Sequence, residues 1–231
     1  PGTKLRQNLT RAAVHRITQG AIGRELLDGM REQGVVGLAF WDNGFKQMSA
    51  NKALRSPDDA RSLKMRIQPS KVLEAQMVAL NARPVVAPFS EVFTSLKVGA
   101  VNGTENPVSN FYTQNMHLAQ SHLTLTDHGW LGYAVLVNRK FWESLPNSLR
   151  AVLEEAMRET TVFANQAALE GNAAALAAVK ASGRTEIVEL DAAQQRAWHK
   201  ALAPVHQEAR ARIPVELIER VYKEVGYQPP Q

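Results

Sequence analysis

Residues 8–32 place apolar side chains at Ala13, Ile17, Ala21, Ile22, Leu26, Leu27 and Met30, the three- and four-residue spacing of an amphipathic helix. Gly20 is placed to divide that helix, and Gly34 to end it. The run Val35-Val36-Gly37-Leu38-Ala39-Phe40 is continuously apolar, which predicts a strand buried on both faces, closed by the turn signal Asp42-Asn43-Gly44. Ser56-Pro57-Asp58-Asp59 combines a capping hydroxyl, a proline at the first helical position and first-turn acids. A short helix there leads into a strand at Leu63-Lys64-Met65-Arg66-Ile67.

Ser70 caps a helix through about Leu80, Pro84–Pro88 is a short strand, and Ser90-Glu91-Val92-Phe93 opens a helix that Gly99 ends. Thr124–Val137 is rich in β-branched and aromatic residues and reads as a strand. From Asn147 to about Ser182 the helical pattern contains no proline and one glycine, Gly171; at 1.5 Å per residue it is about 50 Å long, so it either spans two lobes or bends at Gly171. Ile187–Leu190 is a further strand. Asp191 caps a helix to about Arg212, with a kink at Pro204, and a last short helix ends near Val225. Strands alternating with helices predict an α/β fold with parallel pairings.

At 231 residues the chain is long enough for one large domain or two small ones. No apolar run approaches the roughly 18 residues that span a bilayer. Lys and Arg number 27 against 22 Asp and Glu, but the surplus is scattered and no basic run is interleaved with aromatics. That argues against nucleic acid as a partner and for mild attraction of anionic solutes. The chain has no cysteine, which excludes disulfides, thiol catalysis and thiolate metal sites. It opens at Pro1 without an initiator Met or a signal-peptide pattern, and we expect it to be part of a longer protein.

Arg66 carries the most specific chemistry. It lies between Met65 and Ile67 in a strand expected to be buried, and a buried guanidinium demands an anionic partner. Its planar fork of donors suits a carboxylate. The partner is either a ligand or an internal glutamate. Catalytic arrangements are poorly supported: Ser121, His122, Asp127 and His128 lack the glycine-flanked elbow of a serine nucleophile, and His117, His122 and His128 have no known zinc spacing. No enzyme activity, cofactor or metal is expected.

Five segments in order carry a resemblance: Gly37-Leu38-Ala39-Phe40-Trp41-Asp42-Asn43-Gly44-Phe45, Lys64-Met65-Arg66, Pro88-Phe89-Ser90-Glu91-Val92-Phe93-Thr94-Ser95-Leu96, Gly103-Thr104-Glu105-Asn106-Pro107 and Phe141-Trp142-Glu143-Ser144-Leu145-Pro146. Together they resemble the DctP-type solute-binding proteins of TRAP transporters, collinear from about Gly23 to about Gly183. The resemblance implies a two-lobed α/β periplasmic binding protein fold with a long helix spanning both lobes. It also implies a periplasmic receptor that closes about a hinge on an organic acid in an interlobe cleft and delivers it to the TRAP membrane permease subunits. Dicarboxylates, sugar acids and keto acids all suit such a site. The expected lobes are residues 1–43 with 132–171, and 44–131 with 172–231. About a hundred residues of the family's first lobe have no counterpart, so that lobe is expected to be N-terminally incomplete. A truncated lobe serving as a protein-interaction or sensor module, without tight solute binding, is the alternative.

By the same resemblance Arg66 matches the family arginine that holds the ligand carboxylate through both oxygens, and Asn106 matches a ligand-contacting asparagine; the local alternative for Asn106 is a turn before Pro107. Phe89 is a cleft wall or a core residue, and His128 a ligand contact or a hydrogen-bonded structural histidine. Lys46 stands where the family has arginine, which gives a point contact in place of a second fork. Asn81 replaces a family glycine, and asparagine tolerates positive φ better than most non-glycine residues.

Overall fold

Local sequence signals end most helices where the pattern placed them. The computed structural model describes residues 10–227. In chain order it contains α1 (Arg11–Thr18), α2 (Ala21–Gly29), β1 (Val35–Ala50), β2 (Lys64–Ile67), α3 (Lys71–Ala79), β3 (Arg83–Val86), α4 (Val92–Lys97) and β4 (Gly103–Pro107). There follow α5 (Val108–Thr113), β5 (His122–Asn138), α6 (Arg139–Ser144), α7 (Asn147–Ser182), β6 (Glu186–Glu189), α8 (Ala192–Leu202), α9 (Pro204–Ala209) and α10 (Val215–Val225). Gly34 adopts φ 80°, the left-handed conformation that stops the first helical segment. Ser56 with Asp59, and Asp191 with Gln194, form capping boxes; Ser70 accepts from the Leu73 amide. Asn81 has φ 54°.

Three expectations are corrected. The Asp42-Asn43-Gly44 turn does not form, and β1 runs through it for 16 residues. The groups that would close a turn are engaged elsewhere: the Asp42 backbone N–H donates to Asn165 Oδ1 at 2.7 Å, its carboxylate receives Arg11 Nε at 3.3 Å, and Asn43 Nδ2 donates to Tyr133 Oη. Nor is the 35–40 run buried on both faces: Val36 and Ala39 are buried while Val35, Gly37, Leu38 and Phe40 are half-buried. The helix expected from Asp191 to Arg212 is broken into α8 and α9 at Pro204, which has no N–H to continue the ladder. α7 is a single helix of 36 residues, as expected.

The chain divides into two compact units: residues 10–43, 131–170 and 215–227 form the first, and 44–130 with 171–214 the second. α10 groups with the first unit, whereas the expected division carried it with the second. There Arg16 pairs with Glu224 and Arg220 with Glu25, tying α10 to α1 and α2. Ala13, Val14, Ile22, Leu27, Trp142, Ile218 and Tyr222 are buried in this unit.

The sheet has six strands in the order β3-β2-β4-β1-β5-β6. It is mixed: β2 is parallel to β3 and β4, β5 is parallel to β6, and β1 is antiparallel to β4. In the second unit it separates two cores. One holds Met48, Ala50, Met65, Ile67, Met77 and Trp198; the other holds Val92, Leu96, Phe111, Met116, Leu123 and Val179. Each fully buried Val, Leu, Ile, Phe or Met among them contributes about 1.5–3 kcal/mol.

Candidate functional site

β4 is the strand that organises the second unit's polar groups, and Gly103 admits it to the sheet. Gly103 is paired with Ala50 of β1 on one side and Met65 of β2 on the other. A Cβ at this position would lie 2.2 Å from the Ser49 carbonyl oxygen and 2.8 Å from Met65 Sδ, so only glycine fits. From there Thr104, Glu105 and Asn106 are carried into the interior in extended conformation, all buried.

Strand alternation sorts the candidates onto two faces. Met65 and Ile67 enter the Trp198 core, so Arg66 between them points to the opposite face, in register with Thr104. Asn106, two residues beyond Thr104, shares that face. Met48 also enters the Trp198 core and is paired with Glu105; Glu105 and Lys46 therefore lie on its side of the sheet.

Arg66 is 1% exposed. Its Nε and Nη2 both donate to the Ala87 carbonyl, at 2.9 and 2.6 Å. Nη1 is buried with no hydrogen-bond partner among the described residues, and no carboxylate of those residues is within ion-pair distance of the guanidinium. Burial lowers the Arg66 pKa from its ordinary value, and the Glu105 charge acts in the opposite direction. The internal Arg–Glu pair is thus not what the fold builds. Phe89, at the start of a single 3-10 turn after Pro88, is 36% exposed, and its ring centroid lies 5.8 Å from Arg66 Cζ. Asn106 is in β4 and not in a turn; its Nδ2 donates to Thr104 Oγ1 at 3.2 Å, and Thr104 Oγ1 donates to the Arg66 carbonyl at 3.2 Å. Thr104 therefore links the two candidates.

The other face holds a closed charge pair. Lys46 Nζ lies 2.9 Å from Glu105 Oε1 and 2.7 Å from Oε2, and donates to Gln68 Oε1 at 3.0 Å. Glu105 is fully buried. His128 Nε2 is 3.6 Å from Glu105 Oε2, and its Nδ1 is 2.7 Å from Thr126 Oγ1. Its placement follows from Asp127, held at φ 45° by reciprocal bonds with the Gln47 amide. The structure thus brings Lys46 and His128 together around Glu105, and groups Arg66 with Phe89 and, through Thr104, with Asn106. Sequence reasoning did not single out Glu105; a carboxylate inside a strand was the available signal, but the strand was hidden by its glycine and proline ends.

Since Glu105 balances Lys46, Arg66 is a buried cation whose counter-charge the described residues do not supply. Such a group is suited to receive an anion. Elsewhere, the first unit has a cavity of about 960 Å³ lined in part by Arg11, Leu27, Phe40, Trp142 and Met157; none of the five candidates lines it. Ser121 Oγ approaches His122 Nδ1 at 2.8 Å, and His122 Nε2 lies 3.4 Å from the exposed Glu186, while His128 stands apart with Thr126. Among the described residues no cluster of His, Asp and Glu suits a metal ion, and no helix is long and apolar enough to cross a membrane.

The family model for the bacterial extracellular solute-binding protein, family 7 (DctP), matches residues 9–212. The chain is 54% identical over 209 residues to a C4-dicarboxylate-binding periplasmic protein, DctP, of Rhodobacter capsulatus, covering 90% of this chain and 63% of that one. It is 40% identical over 207 residues to the protein of that name in Shewanella loihica, covering 90% and 62%. It therefore spans a little under two thirds of the length of these relatives. Among solved structures, a TRAP periplasmic solute-binding protein of Shewanella oneidensis with bound succinate superposes with a TM-score of 0.89 at 38% identity, over 92% of this chain and 70% of that one. A TRAP protein of Pseudomonas aeruginosa with bound L-malate gives 0.83 at 37%, over 85% and 69%.

Proposed function

The chain belongs to family 7 of the bacterial extracellular solute-binding proteins, DctP, and from that premise we propose that it supplies the carboxylate-recognising part of a periplasmic receptor for C4-dicarboxylates that serves a TRAP membrane permease. The observation that carries this reading is Arg66, buried with its Nη1 unbonded and no carboxylate of the described residues beside it. A ligand carboxylate supplies the missing charge and accepts charge-assisted hydrogen bonds from the guanidinium. In a dry site that attraction is stronger than in water. Asn106, on the same face, offers an amide able both to donate and to accept, and Phe89 closes the Arg66 end of the site. Lys46 acts behind the sheet by holding Glu105, whose charge would otherwise compete with the ligand for Arg66.

The choice of a four-carbon diacid over a sugar acid or a keto acid is supported by the two relatives named for C4-dicarboxylates and by the succinate and L-malate held in the two solved neighbours. Nothing in this site calls for a nucleophile or a general base, so the role is binding and release. Native mass spectrometry of the purified protein, followed by thermal-shift titration with succinate, L-malate, fumarate, galacturonate and acetate, tests the reading. Saturable stabilisation by the C4 diacids, with little from acetate or galacturonate, is expected. Equal response to all five acids, or to none, contradicts it.

A further inference from the structure

The guanidinium of Arg66 is held on two sides by one short segment, Ala87-Pro88-Phe89. On its edge, a single carbonyl oxygen, that of Ala87, accepts from both Nε and Nη2. The proline that follows restricts Ala87 to extended backbone, and Pro88 itself has φ −54° and ψ 149°. That geometry delivers the next residue, Phe89, onto the guanidinium, with the ring centroid 5.8 Å from Cζ. An aromatic face attracts a cation through its quadrupole, and most strongly where the cation has lost its water. Arg66 has lost it: the residue is 1% exposed. The remaining side, Nη1, has no hydrogen-bond partner among the described residues.

We infer that Phe89 is a positioning residue that acts through Arg66. Its ring fixes the plane of the guanidinium while the Ala87 carbonyl fixes one edge, so that the Nη1 side is presented to the carboxylate without a search among rotamers. This deepens the reading of the site as a carboxylate receptor and rests on it for the identity of the ligand. It differs from a wall role, in which Phe89 touches the solute and leaves Arg66 indifferent to its loss.

The test reads Arg66 in the ligand-free protein. The Nε–Hε resonance, assigned by its loss in Arg66→Lys, is followed by NMR for solvent exchange in wild type, Phe89→Leu and Phe89→Tyr. Slow exchange in wild type, at least about tenfold faster exchange in Phe89→Leu and wild-type behaviour in Phe89→Tyr are expected. Succinate affinity should fall about two- to tenfold in Phe89→Leu and return with tyrosine. Unchanged Arg66 exchange in Phe89→Leu, or fast exchange already in wild type, overturns the inference. A wild-type protein that binds no diacid removes the proposed ligand instead, and leaves the resonance test standing.

Discussion

Lys46 and Glu105 neutralise each other in the interior of the second unit, which makes each depend on the other. Removing one partner of a buried pair leaves an uncompensated charge, so Lys46→Met should lower stability by about 3–5 kcal/mol. Urea denaturation measures this, and a loss below about 1 kcal/mol would mean that Glu105 is satisfied without the ammonium. The pairing was not legible in the sequence, because the partners are 59 residues apart and meet only through the antiparallel register of β1 and β4. Arg66 was legible because its signal is local: a guanidinium between two apolar residues of a short strand. Asn106 was legible as a polar residue of interest but not as a strand residue, since Gly103 and Pro107 bracket β4 with turn-forming types.

At the scale of elements, the helix ends were readable and the length of β1 was not. Caps such as Ser56, Ser70 and Asp191 act within three residues of themselves, so the sequence contains the whole interaction. The groups that draw Asp42 and Asn43 into a strand lie 123 and 90 residues away, where no local pattern records them. α7 supplies a prediction at this scale. Gly171 is inside the helix, and a Cβ there would have no heavy atom within 4 Å. Gly171→Ala should therefore stabilise the protein by about 0.5–1 kcal/mol, through the lower backbone entropy of the unfolded chain. The urea midpoint should rise. A fall would show that the helix uses Gly171 to bend.

For the molecule as a whole, three histidines contribute to the response to acid. Burial lowers the pKa of His117, His199 and His206, and for His206 the Arg210 charge adds to the effect. The unfolded chain, with histidines near 6.5, then takes up protons before the folded protein does. This contribution to stability is complete above about pH 6.5 and is lost as pH falls through that value toward the folded pKa values. The melting temperature should be flat from about pH 8 to 7 and decline from about pH 6.5 to 5. His117→Gln should make the decline shallower, and a melting temperature that rises over that interval would reverse the sign of the account. Arg66 keeps its charge throughout the same range.

Calorimetric titration of succinate into the wild-type protein and into Arg66→Ala tests the central claim most directly. The account predicts saturable one-site binding to the wild type, and a loss of about 2–5 kcal/mol in the variant, with an unchanged circular dichroism spectrum. Equal affinity in a folded Arg66→Ala protein would contradict it.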